Sequence, residues 1–80
     1  MLEIKVLGPG CQNCSNLEKL CREVVAEQNL DAKIDKITDY REIMTFNILS
    51  TPGLVINGKV VSAGKIPTKS TLAHWLKEAQ

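Results

Sequence analysis

The sequence is poor in aromatic residues, with one Trp, one Tyr and one Phe, and it holds a single histidine. No aromatic-basic stripe exists, and a formal net charge of +1 supplies no field for nucleic acid or an anionic membrane. Neither partner is expected. No stretch approaches the run of about 20 apolar residues that a membrane-spanning helix needs. The opening "MLEIKVLGPG" has no basic region followed by an apolar segment, so it does not read as a signal peptide. Met1 reads as a true start, and the expected compartment is the cytoplasm, where thiols are kept reduced. Repeats, linkers and low-complexity segments are lacking as well. The cysteines number three, an odd count that fits a disulfide scaffold poorly.

What remains is a hydrophobic share of 44% against 24% charged, a balance that argues for a folded chain rather than a disordered one. At 80 residues it should form one small domain over residues 1–80, expected to be monomeric and near the lower limit for stability by core burial alone.

Hydrophobic spacing sets the order of elements. "LEIKVL" places Leu2, Ile4 and Val6 on one face of a strand. After Gly8-Pro9-Gly10, the residues Leu17, Leu20, Cys21, Val24 and Val25 follow the apolar stripe of a helix running from Cys11 or Gln12 to Gln28. "LDAKIDKI", from Leu30, alternates again and predicts a second strand. Asp39 with Glu42 suggests a capping box for a short helix carrying Tyr40, Ile43 and Met44 and reaching toward Phe46. Leu54-Val55-Ile56 reads as a strand buried on both faces, and Asn57-Gly58 as a two-residue hairpin turn into "KVVSA". Thr68 should cap a last helix with Leu72, Trp75, Leu76 and Ala79 on one face. The order β-α-β-α-β-β-α, with a right-handed crossover and a hairpin, implies an α/β fold. Its mixed four-stranded sheet has order 2-1-3-4 and helices on both faces. Lys5, Lys33, Lys36 and Lys59 are expected to face solvent, His74 to be a solvated helix residue, and Cys21 to serve as a small buried hydrophobe.

The chemistry lies in "GPGCQNC". Cys11 falls where the central strand ends and a helix begins, and Cys14 falls one turn deeper on the same face. Unpaired N–H groups and partial positive charge at a helix start favour a thiolate, and CxxC thiols at such sites have pKa values of roughly 3.5–7.5. The pair suits a nucleophile, Cys11, and a resolving thiol, Cys14. Tetrahedral zinc takes four ligands, and only Cys21 and His74 remain, so a closed zinc site is not expected. Two rivals stay open: a soft-metal-binding or transfer module, for instance for Cu(I), and a redox-sensing interaction domain. The first usually follows the order β-α-β-β-α-β, which differs from this one. Thr51-Pro52 enters the buried strand next to the one leading into Cys11. A cis bond there would expose the Thr51 backbone to strand-like pairing with an incoming peptide.

Together the CxxC, "TPGLVINGKVVSAG" and Gly64 before the last helix resemble the small thioredoxin-like redox-active disulfide proteins of bacteria and archaea. The likeness covers essentially the whole chain and implies a minimal thioredoxin fold and thiol–disulfide oxidoreductase activity. It implies Cys11 and Cys14 as catalytic thiols, Pro52 as a cis-proline, and Thr51, Pro52, Gly10 and Gly64 as substrate-binding positions. The redox group would be the Cys11–Cys14 disulfide itself, with no further cofactor and no metal. Implied partners are a protein disulfide and a reductase, either thioredoxin-reductase-like or a glutathione system. Thioredoxins proper carry Trp-Cys-Gly-Pro-Cys and a buried acid in the preceding strand. This chain has Gly10-Cys11-Gln12-Asn13-Cys14 and Lys5.

Overall fold

Leu2–Leu7 forms strand β1, whose alternation buries Leu2, Ile4 and Val6 on one face and Leu7 on the other. The computed structural model describes residues 1–80. Helix α1 (Gln12–Glu27), strand β2 (Ala32–Ile37), helix α2 (Tyr40–Met44), strands β3 (Gly53–Ile56) and β4 (Lys59–Ala63), and helix α3 (Lys69–Ala79) follow. The strands make one sheet in the order β2-β1-β3-β4, with β1 parallel to β2 and antiparallel to β3. The expected architecture is therefore the observed one.

The two faces of the sheet are unequal. On one, α1 and α3 lay Leu17, Cys21, Val24, Leu72 and Leu76 over Leu2, Ile4, Val6, Leu54 and Ile56. On the other, the short α2 covers only Leu7 and Val55 with Ile43, helped by Ile37, Phe46, Ile48 and Val60. Full burial of one such aliphatic side chain contributes about 1.5–3 kcal/mol, so the larger layer holds most of the driving force. β3 is buried along its whole length, as its continuous apolar run requires.

Several local expectations change. β2 starts at Ala32 rather than Leu30, because Asn29 turns left-handed (φ 54°) and the Leu30 N–H donates back to Val25 O at 3.0 Å. Residues 28–30 thus close α1 in the manner of a C-terminal cap. α2 stops at Met44, and Phe46 packs from the turn beyond it. Asp39 accepts from the Arg41 N–H at 2.9 Å, so a simple cap replaces the capping box with Glu42. Lys5 does not point freely into solvent: it is half-buried, with Nζ 5.8 Å from the centroid of the Phe46 ring. The ring's electron-rich face compensates part of the desolvation of that ammonium.

The hairpin follows the sequence closely. Asn57 and Gly58 both adopt positive φ, 51° and 82°. Asn57 also stitches distant elements, since its Oδ1 accepts from the Glu3 N–H (2.9 Å) and its Nδ2 donates to Ala79 O (3.0 Å). Asn57→Gly keeps the turn but loses both bonds and should cost about 1 kcal/mol. Asn57→Ala loses the same bonds but, unlike the Gly variant, keeps a Cβ in left-handed backbone, and should cost roughly 1–2 kcal/mol more than Gly. Urea denaturation should rank wild type above Gly above Ala. Equal stability of the Gly variant and wild type would show that the side-chain bonds contribute nothing.

Candidate active site

Gly8-Pro9-Gly10 carries the chain from the end of β1 to Cys11, which is the N-cap of α1 with extended backbone (φ −71°, ψ 164°). Its Sγ accepts from the Cys14 N–H at 3.2 Å, and its carbonyl accepts from the Ser15 N–H at 3.1 Å. Cys11 is exposed whereas Cys14 is 0% exposed, and the two are joined as a disulfide with Cα atoms 5.1 Å apart. No acidic residue occupies the first turn of α1, so nothing there offsets its positive end. The Gln12 amide is folded along the helix, donating to Asn16 Oδ1 at 3.1 Å.

Strand register brings the remaining candidates to the same end of the sheet. Leu7 pairs with Gly53, and Gly53 pairs with Ala63, so Gly8, Pro52 and Gly64 are neighbours just beyond the ladder. The Thr51–Pro52 peptide bond is cis, as the resemblance implied, and Pro52 is buried. The Gly64 N–H donates to Pro52 O at 2.8 Å. Gly64 has φ +79°, and a Cβ on it would sit 2.9 Å from Ser50 Oγ, so both backbone and space call for glycine. Gly10 is exposed immediately before Cys11. Gly10, Cys11, Cys14, Thr51, Pro52 and Gly64 thus lie toward one end of the sheet, with Thr51 and Cys14 both against Gly8.

Two features were missed in the sequence. Gly8 is buried with Cys14 Sγ directly against its backbone, an approach that "GPG" conceals because it also reads as an ordinary turn. Tyr40, Met44 and Leu49 are exposed and share a depression of about 140 Å³ with Thr51. The apolar pair Ile48-Leu49, set between the turn formers Asn47 and Ser50, was the sequence signal for it. The largest cleft, about 520 Å³ between α1 and α3 and lined by Glu27, Lys69, His74 and Lys77, contains no cysteine. It begins at Val24, roughly 15 Å along α1 from Cys14.

Nothing converges on the sulfurs as a third ligand. His74 is exposed and pairs with Glu78 at 3.1 Å, and Cys21 is buried in the α1–α3 layer. No group of three or more His, Cys, Asp or Glu side chains is arranged to hold a metal ion. No helix is long and apolar enough to cross a membrane.

A CxxC disulfide that opens a helix at the end of a central strand, on a sheet of this order, defines a thiol–disulfide oxidoreductase. The sequence model of the family described as "Thioredoxin domain" matches residues 2–77. A curated thioredoxin of Methanothermobacter thermautotrophicus is 35% identical over 76 residues, covering 95% of this chain and 99% of that protein. A thioredoxin of Methanocaldococcus jannaschii is 34% identical over 77 residues, covering 96% of this chain and 88% of that protein. The chain belongs to the thioredoxin-domain family.

Cys21 provides a test of the division between reactive and structural thiols. Burial, and secondarily the Glu18 carboxylate, push its thiol from 9.0 up to about 12, with Arg22 opposing. Between those values the unfolded chain loses a proton that the folded chain keeps, so this contribution is intact below pH 9 and declines as pH rises toward 12. Cys21→Ala, expected to be about 1–2 kcal/mol less stable at neutral pH, should lose less stability over that interval than wild type. Equal slopes in denaturation series at pH 9–11 would contradict the assignment.

Proposed function

We propose that this chain reduces protein disulfides, with Cys11 as the nucleophile and Cys14 as the resolving thiol. The asymmetry of the pair supports the reading: Cys11 is exposed at the helix start, and Cys14 is wholly enclosed behind it. An incoming disulfide reaches only Cys11. In the dithiol state the Cys11 thiolate attacks one substrate sulfur, forms a mixed disulfide and releases the other substrate sulfur as a thiolate that takes up a proton. Cys14, losing its own proton, then attacks Cys11 Sγ, closes the internal disulfide and releases the second substrate thiol. One substrate disulfide becomes two thiols, and the chain gains the disulfide seen here.

Thr51 and Pro52 border the pair outside the β3 ladder, where the Thr51 backbone is the natural place for strand-like pairing with an extended substrate. Gly10 and Gly64 leave the approach to that edge uncluttered. Exposed Tyr40, Met44 and Leu49, beside Thr51, give apolar side chains of the substrate a place to lie, which favours a protein over a small thiol as the oxidised partner. In this reading residues 1–80 act as one monomeric domain in the cytoplasm. A thioredoxin-reductase-like enzyme or the glutathione system returns the disulfide to the dithiol.

The test is trapping. Cys14→Ser mixed with a model protein disulfide should accumulate a dithiothreitol-sensitive adduct on Cys11, located by peptide mass mapping. Cys11→Ser should lower the reduction rate by roughly a hundredfold or more. An adduct on Cys14, or near-normal turnover without Cys11, would reverse the assignment. Oxidation that alters partner binding while no disulfide is ever reduced would favour a sensor instead.

A further inference from the structure

Gly8 is the residue that the redox chemistry leaves unused, and its position is not dictated by its backbone. Its φ lies outside the left-handed range, and the residue is buried. What excludes a side chain is Cys14: a Cβ on Gly8 would overlap Cys14 Sγ, stand 3.0 Å from Cys14 Cβ, and touch Thr51 Cβ at 3.9 Å. Neither backbone can retreat. The Gly8 N–H donates to Ile37 O at 2.9 Å, extending the β1–β2 ladder. α1 is fixed by its cap on Cys11 and by Leu17, Cys21 and Val24 in the core.

We propose that Gly8 is a positioning residue: its bare backbone forms the seat that holds the buried Cys14 sulfur within bonding reach of Cys11. The proposal rests on Cys11 as nucleophile and Cys14 as resolving thiol. A methyl group in the seat forces Cys14 into another side-chain rotamer, which the dithiol tolerates and the disulfide does not. The disulfide is therefore penalised more than the dithiol. Attack by Cys14 on a Cys11 mixed disulfide slows for the same reason, while the first attack by Cys11, made from the exposed side, is untouched.

The experiment uses glutathione disulfide and the full chain. Cys11 thiolate displaces one glutathione thiolate and forms a Cys11–glutathione disulfide. Cys14 thiolate then displaces the second, so that two glutathione thiols are produced for one protein disulfide. Gly8→Ala should lengthen the lifetime of the Cys11–glutathione species at least about tenfold, leaving its rate of formation within about twofold of wild type. Its equilibrium with glutathione should shift about tenfold toward the dithiol, ~30 mV less negative for a two-electron couple. A structural role alone would move neither ratio. Unchanged lifetime and equilibrium overturn the proposal, and so does a parallel slowing of both steps. If Gly8→Ala does not fold, Gly8→Ala/Cys14→Gly, which removes both Cys14 atoms that the methyl would meet, decides: recovery of the fold supports a seat for the Cys14 side chain, and continued unfolding overturns it. Cys14→Ser is the control. Failure to hold glutathione on Cys11 there overturns the thiol roles and the proposal together, whereas normal trapping with wild-type kinetics in Gly8→Ala overturns the proposal alone.

Discussion

The contact on which the site depends is the one between Cys11 Sγ and the Cys14 N–H, 3.2 Å apart. It is a helix cap, the task usually given to a Ser, Thr, Asp or Asn oxygen. Here a sulfur does it, so the atom that starts α1 is also the atom that exchanges electrons. A sulfur anion formed at this place meets N–H groups that have no partner within the helix, and no carboxylate in the first turn opposes it. The same hydrogen bond ties the exposed thiol to the backbone of the buried one.

The rest of the chain holds that end of α1 in place. β1 is central, with a neighbour on each side, and its Leu7 stands in register with Gly53 of β3. The cis Thr51–Pro52 segment therefore arrives beside the sulfurs because the sheet order puts it there. α1 is clamped by its buried stripe and by Glu18, which pairs with Arg22 at 3.0 Å and with Lys36 of β2 at 4.0 Å. Exposed pairs of this kind contribute little individually, about 0–1 kcal/mol, so the stripe does most of the anchoring. At the opposite end of the sheet, Asn57 joins the hairpin to β1 and to the last turn of α3. The Asn57 bonds thus lie at the end of the sheet opposite the sulfurs.

The sequence revealed the parts of the molecule that depend on local rules. Periods of two and of 3.6 residues located β1, α1, β2 and α3, and a continuous apolar run located β3. Asn57-Gly58 announced its turn, and Thr68 caps α3 by accepting from the Thr71 N–H at 3.2 Å. Cys11 and Cys14 were legible because their spacing, set where a strand ends and a helix begins, places both sulfurs on one helical turn. What stayed hidden depends on contacts between distant segments. Lys5 looked like a solvent residue until Phe46, from the turn after α2, covered it. Asp39 had two available cap donors, and the local backbone selected Arg41 over the Glu42 arrangement. Gly8 looked like part of a turn, and only the packing of α1 on β1 shows a sulfur filling the place of its missing side chain.

Reversible two-electron exchange by Cys11 and Cys14 is tested most directly by equilibrating the protein in graded glutathione buffers, quenching with acid, and alkylating under denaturing conditions. Mass mapping should show Cys11 and Cys14 passing together from two alkyl groups to none along one two-electron curve, identical when approached from either side. Cys21 should stay a free thiol throughout. Absence of a reversible transition, or a curve in which Cys21 replaces either partner, would contradict the redox assignment.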